Sequence, residues 1–184
     1  MLPDEEVLEM IGKYRSVDKK KQKEIINAFR NSEMVSEEQL KYLVRYGNLK
    51  SGWWAQSEII VELGYERMKK YLPQIYKWLE DINSPGAISI SDDFLLQLDR
   101  QILIKSLSDA LHRAGKDIYD DCWLYSLTVL AEEAGLTEED FIASGYENAY
   151  EIIEKYKIWD SQKGGYDPRD TYSAKLMESD PTKQ

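Results

Sequence analysis

The sequence predicts an all-α fold, with antiparallel helical pairs stacked as a small solenoid or an irregular bundle. Three observations lead there. Apolar residues recur with a period near 3.6 in nearly every segment. Alternating β-branched runs, the mark of half-buried strands, are absent. Capping residues and glycines punctuate the chain at helical lengths.

The elements follow in order. Asp4 is placed to cap a first helix reaching about Tyr14, and Asp18 a second reaching about Asn31, with Ile25, Ile26 and Phe29 as its apolar stripe. Ser36-Glu37-Glu38-Gln39 reads as a capping box, in which the two end side chains satisfy each other's backbone N–H groups. It starts a third helix ending near Gly47. A fourth runs from Trp53 to Leu63, stopped by Gly64. Residues 65–82 are helical, restarting at Pro73, whose fixed φ suits a first turn. Ser91 opens a helix over Asp92–Leu98, and Asp99 another to Ala114. Asp117 begins a long helix to Ala134, closed by Gly135. Thr137-Glu138-Glu139-Asp140 begins a short one, and Ser144 or Gly145 begins the last, ending near Tyr156. Residues 1–160 are expected to form a single domain. From about 161, Gly164-Gly165, Pro168 and Pro181 among polar residues predict a mobile or loosely packed tail.

Composition narrows the classes. The chain has 184 residues, 42% of them hydrophobic, which is enough for a packed core and too much for wholesale disorder. No apolar run approaches the roughly 20 residues that span a bilayer. Met1-Leu2-Pro3-Asp4-Glu5-Glu6 lacks the basic and apolar blocks of a signal peptide. The single cysteine, Cys122, excludes an internal disulfide and fits a reducing compartment, so the expected location is cytoplasmic.

Charge is uneven. Lys116 to Asp160 holds 12 acidic and 3 basic residues, so that segment carries −9 of the net −10. Phosphate backbones need cations opposite them, so nucleic acid is not an expected partner. A basic protein is. The candidate contact residues are Asp117, Asp120, Asp121, Glu138, Glu139 and Asp140; a solvated, solubility-promoting face is the plain alternative. Acidic residues at a helix start also complement the helix dipole, a structural role open to both clusters.

The segment from Tyr76 to Ala87 is the most distinctive. Trp78 and Leu79 continue an apolar stripe with Leu72 and Ile75, and Pro85 disfavours helix at Ser84. Asp81, Asn83 and Ser84 suit a corner where short side chains bond exposed N–H groups, and Gly86 permits a close backbone approach. Such a corner is a rigid joint or the rim of a site. Trp78-Leu79-x-Asp81-x-Asn83-x-Pro85-Gly86-Ala87, preceded by Leu63-Gly64-Tyr65 and Leu72-Pro73, resembles a family of bacterial all-helical domains of unknown function, with a fold like short HEAT-type repeats. The similarity covers roughly residues 55–135 and departs at Ser84, where the family pattern has a second tryptophan. It implies a fold and no assigned activity. An internal echo agrees: Gly64-Tyr65-Glu66 recurs as Gly145-Tyr146-Glu147, and Trp78 as Trp159, at an offset of 81. That is near twice the roughly 40-residue period of such helical pairs.

Catalytic signatures are sparse. One histidine and one cysteine supply no zinc or iron set, and no phosphate loop, nucleophile elbow or metalloprotease helix occurs. No cofactor or metal is expected. His112, near a helix end, reads as a hydrogen-bonded surface residue, and Cys122 as a small core residue. Trp53 and Trp54 are adjacent, so on a helix they diverge by about 100°; core placement of both requires a helix buried on two sides. The functional expectation is a protein-interaction module, an immunity-type or adaptor protein binding a basic partner through its acidic surface. The alternative is an enzyme or small-ligand protein with a site at the Asp81–Asn83 corner, walled by Trp53, Trp54 and Trp78.

Overall fold

The computed structural model describes residues 1–45, 53–116 and 121–163. Among them every regular element is helical, and the all-α expectation holds.

Helix α1 (Asp4–Lys13) has Pro3, not Asp4, at its cap position. Asp4 lies in the first turn instead, and its carboxylate accepts from Gln39 Nε2 at 2.8 Å and from the Tyr42 hydroxyl. Helix α2 (Lys19–Arg30) is capped as expected, Asp18 accepting from the Lys21 N–H at 2.9 Å. The Ser36–Gln39 box closes both ways, at 3.0 and 3.2 Å, and leads through a 3₁₀ turn (Glu38–Leu40) into α3 (Lys41–Val44). The expected end near Gly47 lies outside the described residues.

Helix α4 (Trp53–Met68) is broken at Gly64, with φ +70° and ψ 178°. A 3₁₀ turn (Lys69–Tyr71), α5 (Leu72–Ile75) with Pro73 in its first turn, and a second 3₁₀ stretch (Tyr76–Asp81) follow. The next helix differs from expectation. It starts at Pro85 rather than Ser91, as α6 (Pro85–Ser89), and widens into a π-helical stretch (Ile90–Leu95). The reason is local: Pro85 holds Ser84 extended (ψ 134°) while its own φ is preset for a helical first turn.

Helix α7 (Arg100–Ala114) is capped by Asp99, which accepts from the Gln101 N–H at 2.9 Å. Helix α8 (Asp121–Glu133), α9 (Glu138–Ala143) and α10 (Glu147–Lys163) complete the order. The expected start of α8 at Asp117 lies outside the described residues. Helix α10 runs past the end expected near Tyr156. Glu151–Lys155 and Glu154–Lys157 pairs support its polar face, and Trp159 packs on Tyr156 at 5.8 Å, so the helix does not need a long apolar stripe to continue. Of the expected tail, 164–184 lie outside the described residues.

Helix α4 packs against α1, α2, α3 and α6, while α7 packs against α5, α8 and α10. The segment 72–95 joins the two groups, and its buried Tyr76, Trp78, Leu79, Ile90 and Leu95 belong to one continuous core. Gly64 and Gly145, the paired glycines of the internal echo, both take left-handed φ, +70° and +76°. Side chains rarely adopt that conformation, which accounts for glycine at both helix breaks. No helix among the described residues is long and apolar enough to cross a membrane.

Candidate functional site

The Tyr76–Ala87 corner is the first candidate. Trp78 and Tyr76 are completely buried. A Cβ built on Gly86 would lie 2.5 Å from Trp78 Cζ3 and 2.9 Å from the Trp53 carbonyl oxygen. The glycine is therefore what allows α6, the Trp78 ring and the first turn of α4 to meet. Tyr76 shares a 3.0 Å hydrogen bond with Ser106 of α7, and its carbonyl accepts from Trp123 Nε1 of α8, also at 3.0 Å. Burial pushes the Tyr76 phenol above its ordinary pKa, so it stays neutral at physiological pH. The Asp81 carbonyl accepts from the Ser84 N–H at 2.9 Å, closing the turn before Pro85.

The corner residues do not converge on a common point. Trp53 and Trp78 meet across Gly86. Trp54 turns outward, 43% exposed, with the Arg15 guanidinium 5.1 Å from its ring centre. This corrects the placement of both Trp53 and Trp54 in the core: adjacent helical positions diverge, and α4 buries the Ala55, Ile59 and Leu63 face instead. Asp81 and Asn83 are partly buried at the edge of the turn. Trp78 Nε1 and Ser84 Oγ are buried with no hydrogen-bond partner among the described residues. The buried Tyr76 and Trp78 thus lie where α4, α6, α7 and α8 meet.

The second candidate is the acidic region. Asp117 and Asp120 lie outside the described residues, and Asp121 is the first residue of α8. Asp140 is occupied structurally. Its carboxylate accepts from the Thr137 N–H (2.8 Å) and hydroxyl (3.0 Å) and from Arg100 Nη2 (2.7 Å) and Nε (3.2 Å). Arg100 also donates to the Gly135 carbonyl at 2.8 Å and the Ala134 carbonyl at 3.3 Å, so it fastens the end of α8 to the start of α9. The Arg100 guanidinium, with Thr137, holds the Asp140 carboxyl well below the usual range, at about 2. Glu139 is also lowered, by hydrogen bonds from its own backbone and from Thr137.

Glu138, Glu139 and Glu147 are exposed and form no ion pair among the described residues. Lys155 and Lys157 are already engaged, by Glu151 and by Glu132 and Glu154. Ile142 and Ile158, 53% and 58% exposed, sit within this acidic region. Sequence reasoning missed both isoleucines and Arg100. Ile158 had a signal, since it shares the spacing of Glu147, Glu151 and Lys155 along the outward stripe of α10. Arg100 had none, because its partner lies 40 residues away.

Both residues of reactive type are on the surface. His112 is exposed with Nδ1 2.7 Å from the Ser108 carbonyl. Cys122 is exposed, which corrects its expected core placement: at the start of α8 the buried positions go to Trp123, Leu124 and Leu127. Among the described residues no group of three or more His, Cys, Asp or Glu side chains is placed to hold a metal ion.

No protein-family model matches the chain, and neither a curated protein nor a solved structure matches it. The resemblance carried by Trp78–Ala87 rests on those motif residues alone.

Proposed function

We propose that this protein is a protein-interaction module, of immunity or adaptor type, that docks a partner with a basic surface on the face formed by α9 and α10. The observation that carries the reading is the uncompensated charge there. Lys155 and Lys157 of α10 are spent on Glu132, Glu151 and Glu154, and Glu138, Glu139 and Glu147 are exposed with no ion pair among the described residues. Carboxylates held in water cost nothing to keep charged and steer a cationic partner. The neighbouring Ile142 and Ile158 offer apolar anchors that charge alone lacks. Asp140 is left out of the contact set, since Arg100 and Thr137 already saturate it. The HEAT-like repeat reading fits this role, because stacked helical pairs present extended surfaces; the matching φ of Gly64 and Gly145 supports it.

Affinity capture from the source cells, followed by titration calorimetry with the captured partner, tests the reading. Binding should weaken steeply with salt, and the triple reversal Glu138→Lys, Glu139→Lys, Glu147→Lys should lower affinity by about a hundredfold. A partner that binds the reversed variant as tightly as the wild type would end the electrostatic proposal.

A further inference from the structure

Against the overall negative charge, one groove is locally cationic. It has a volume of about 440 Å³, within the roughly 300–1,000 Å³ range of small-molecule sites. One wall is α7, where Gln101, Lys105, Asp109 and Arg113 follow each other at intervals of four and so share one helical face. The opposite wall is the end of α4 and the start of α5, with Tyr65, Lys69, Leu72 and Pro73. Three cations face one carboxylate.

Their states of engagement differ, and that decides what the groove can hold. Lys69 is paired with Glu66 at 3.0 Å. Arg113 is tethered across the groove by two neutral carbonyls, of Asp109 at 2.9 Å and of Pro73 at 3.3 Å. Those bonds fix the guanidinium without neutralising it. Lys105 has neither an ion pair nor a hydrogen bond among the described residues, and it is exposed. Beneath them the floor is apolar, formed by Leu72 and the partly buried Ile102. Ser106, hydrogen-bonded to the buried Tyr76, closes it.

We propose that this groove binds a small organic anion, a phosphate monoester or a free carboxylate with an apolar or aromatic body. The head group pairs with Arg113 and Lys105, and the body lies between Tyr65 and Ile102. A small ligand rather than nucleic acid is the occupant, since the groove offers only three cations and a phosphate backbone needs a longer run of them opposite it. A second cationic hollow offers a comparison within the same molecule. It is smaller, about 260 Å³, lined by Lys19, Lys23, Arg30 and Glu62. There Arg30 is already held by the Glu62 carbonyl at 2.6 Å and its carboxylate at 3.8 Å.

The test is a two-dimensional ¹H–¹⁵N NMR titration of the full chain with phenyl phosphate, benzoate and inorganic phosphate. Phenyl phosphate or benzoate should give saturable shifts confined to residues 65–73 and 101–113, and bind roughly fivefold or more tighter than inorganic phosphate, because a ring leaves water. Whichever of the two binds tighter assigns the head group. Lys105→Glu should weaken that binding at least tenfold, and Lys23→Glu should leave it unchanged. Lys105 is exposed and has no ion pair or hydrogen bond among the described residues to lose, and the same spectra report whether each variant is folded. The proposal falls if no saturable shift appears, if Lys105→Glu binds as the wild type does, or if the Lys19–Arg30 hollow responds equally, which would mark adventitious ion binding.

Discussion

The corner at residues 76–87 and the face of α9 and α10 use much the same residue types to opposite ends. Both contain aromatic rings, carboxylates and a turn. At the corner, the rings of Tyr76 and Trp78 are withdrawn from water entirely, and neutral hydrogen bonds, one shared with Ser106 and one donated by Trp123, tie the Tyr76 ends. On the acidic face, charge stays in solvent, and the heavily bonded carboxylate of Asp140 is matched by an arginine. The lesson concerns where a residue is replaceable. Buried contacts fail through sterics at any pH or salt, whereas the exposed ones fail through charge and depend on both.

Gly86→Ala breaks the first region most directly and carries the largest expected effect. The added methyl meets the Trp78 ring at 2.5 Å and a backbone oxygen of Trp53 at 2.9 Å. The ring is enclosed by core and the carbonyl is chain, so neither yields cheaply. A loss of about 1–3 kcal/mol is expected, the range for overpacking a filled interior. Urea unfolding should show a lower midpoint with an unchanged m-value. In a double-mutant cycle, Trp78→Leu should cost less in the Gly86→Ala background than in the wild type, since the two changes share the same space. A neutral Gly86→Ala would mean that the corner is loosely built and the contrast with the acidic face is overstated.

Asp140→Asn sharpens the other side, with a smaller effect that depends on pH. The folded carboxyl titrates at about 2, below the ordinary 3.8, because Arg100 and Thr137 favour its ionised form. A depressed folded pKa contributes stability that is fully present above the unfolded value and is lost as pH falls from about 4 towards 2. Thermal unfolding of the wild type should therefore lose stability across that window. The asparagine variant should start lower at pH 7 and run flatter through it. Parallel acid limbs for the two proteins would show that the Arg100–Asp140 pair does not couple α8 to α9.

How much of this was legible in the sequence depends on how local the cause is. Asp18, Ser36 and Asp99 act on N–H groups two or three residues ahead, Asp140 accepts from the Thr137 N–H three residues back, and each helix start was readable from its spacing. Gly64 and Gly145 were readable as breaks for the same reason. Asp4 misled because its partners, Gln39 and Tyr42, are 35 and 38 residues distant and outcompete a capping role. The helix at Pro85 was placed late because Ser91 looked like a cap, whereas a proline in the first turn was the stronger signal. The cationic groove was invisible: Lys69 and Lys105 are ordinary surface lysines until α5 brings their helices together.

Trp54 gives the finest test, because it separates two neighbours in one helix. Trp53 contributes its carbonyl to the corner, while Trp54 stands 43% exposed under Arg15. An exposed cation–ring contact is worth about 0.5–1 kcal/mol, and Arg15 keeps Glu58 at 3.4 Å as a second partner. Trp54→Ala should therefore lower stability by roughly 0.5 kcal/mol and leave the helical circular dichroism unchanged. It should also remove much of the tryptophan emission that acrylamide quenches, since Trp78 and Trp123 are buried. A loss above about 2 kcal/mol, the scale of a buried side chain, would place Trp54 in the joint after all. The boundary between packing and surface would then have to move outward by one residue of α4.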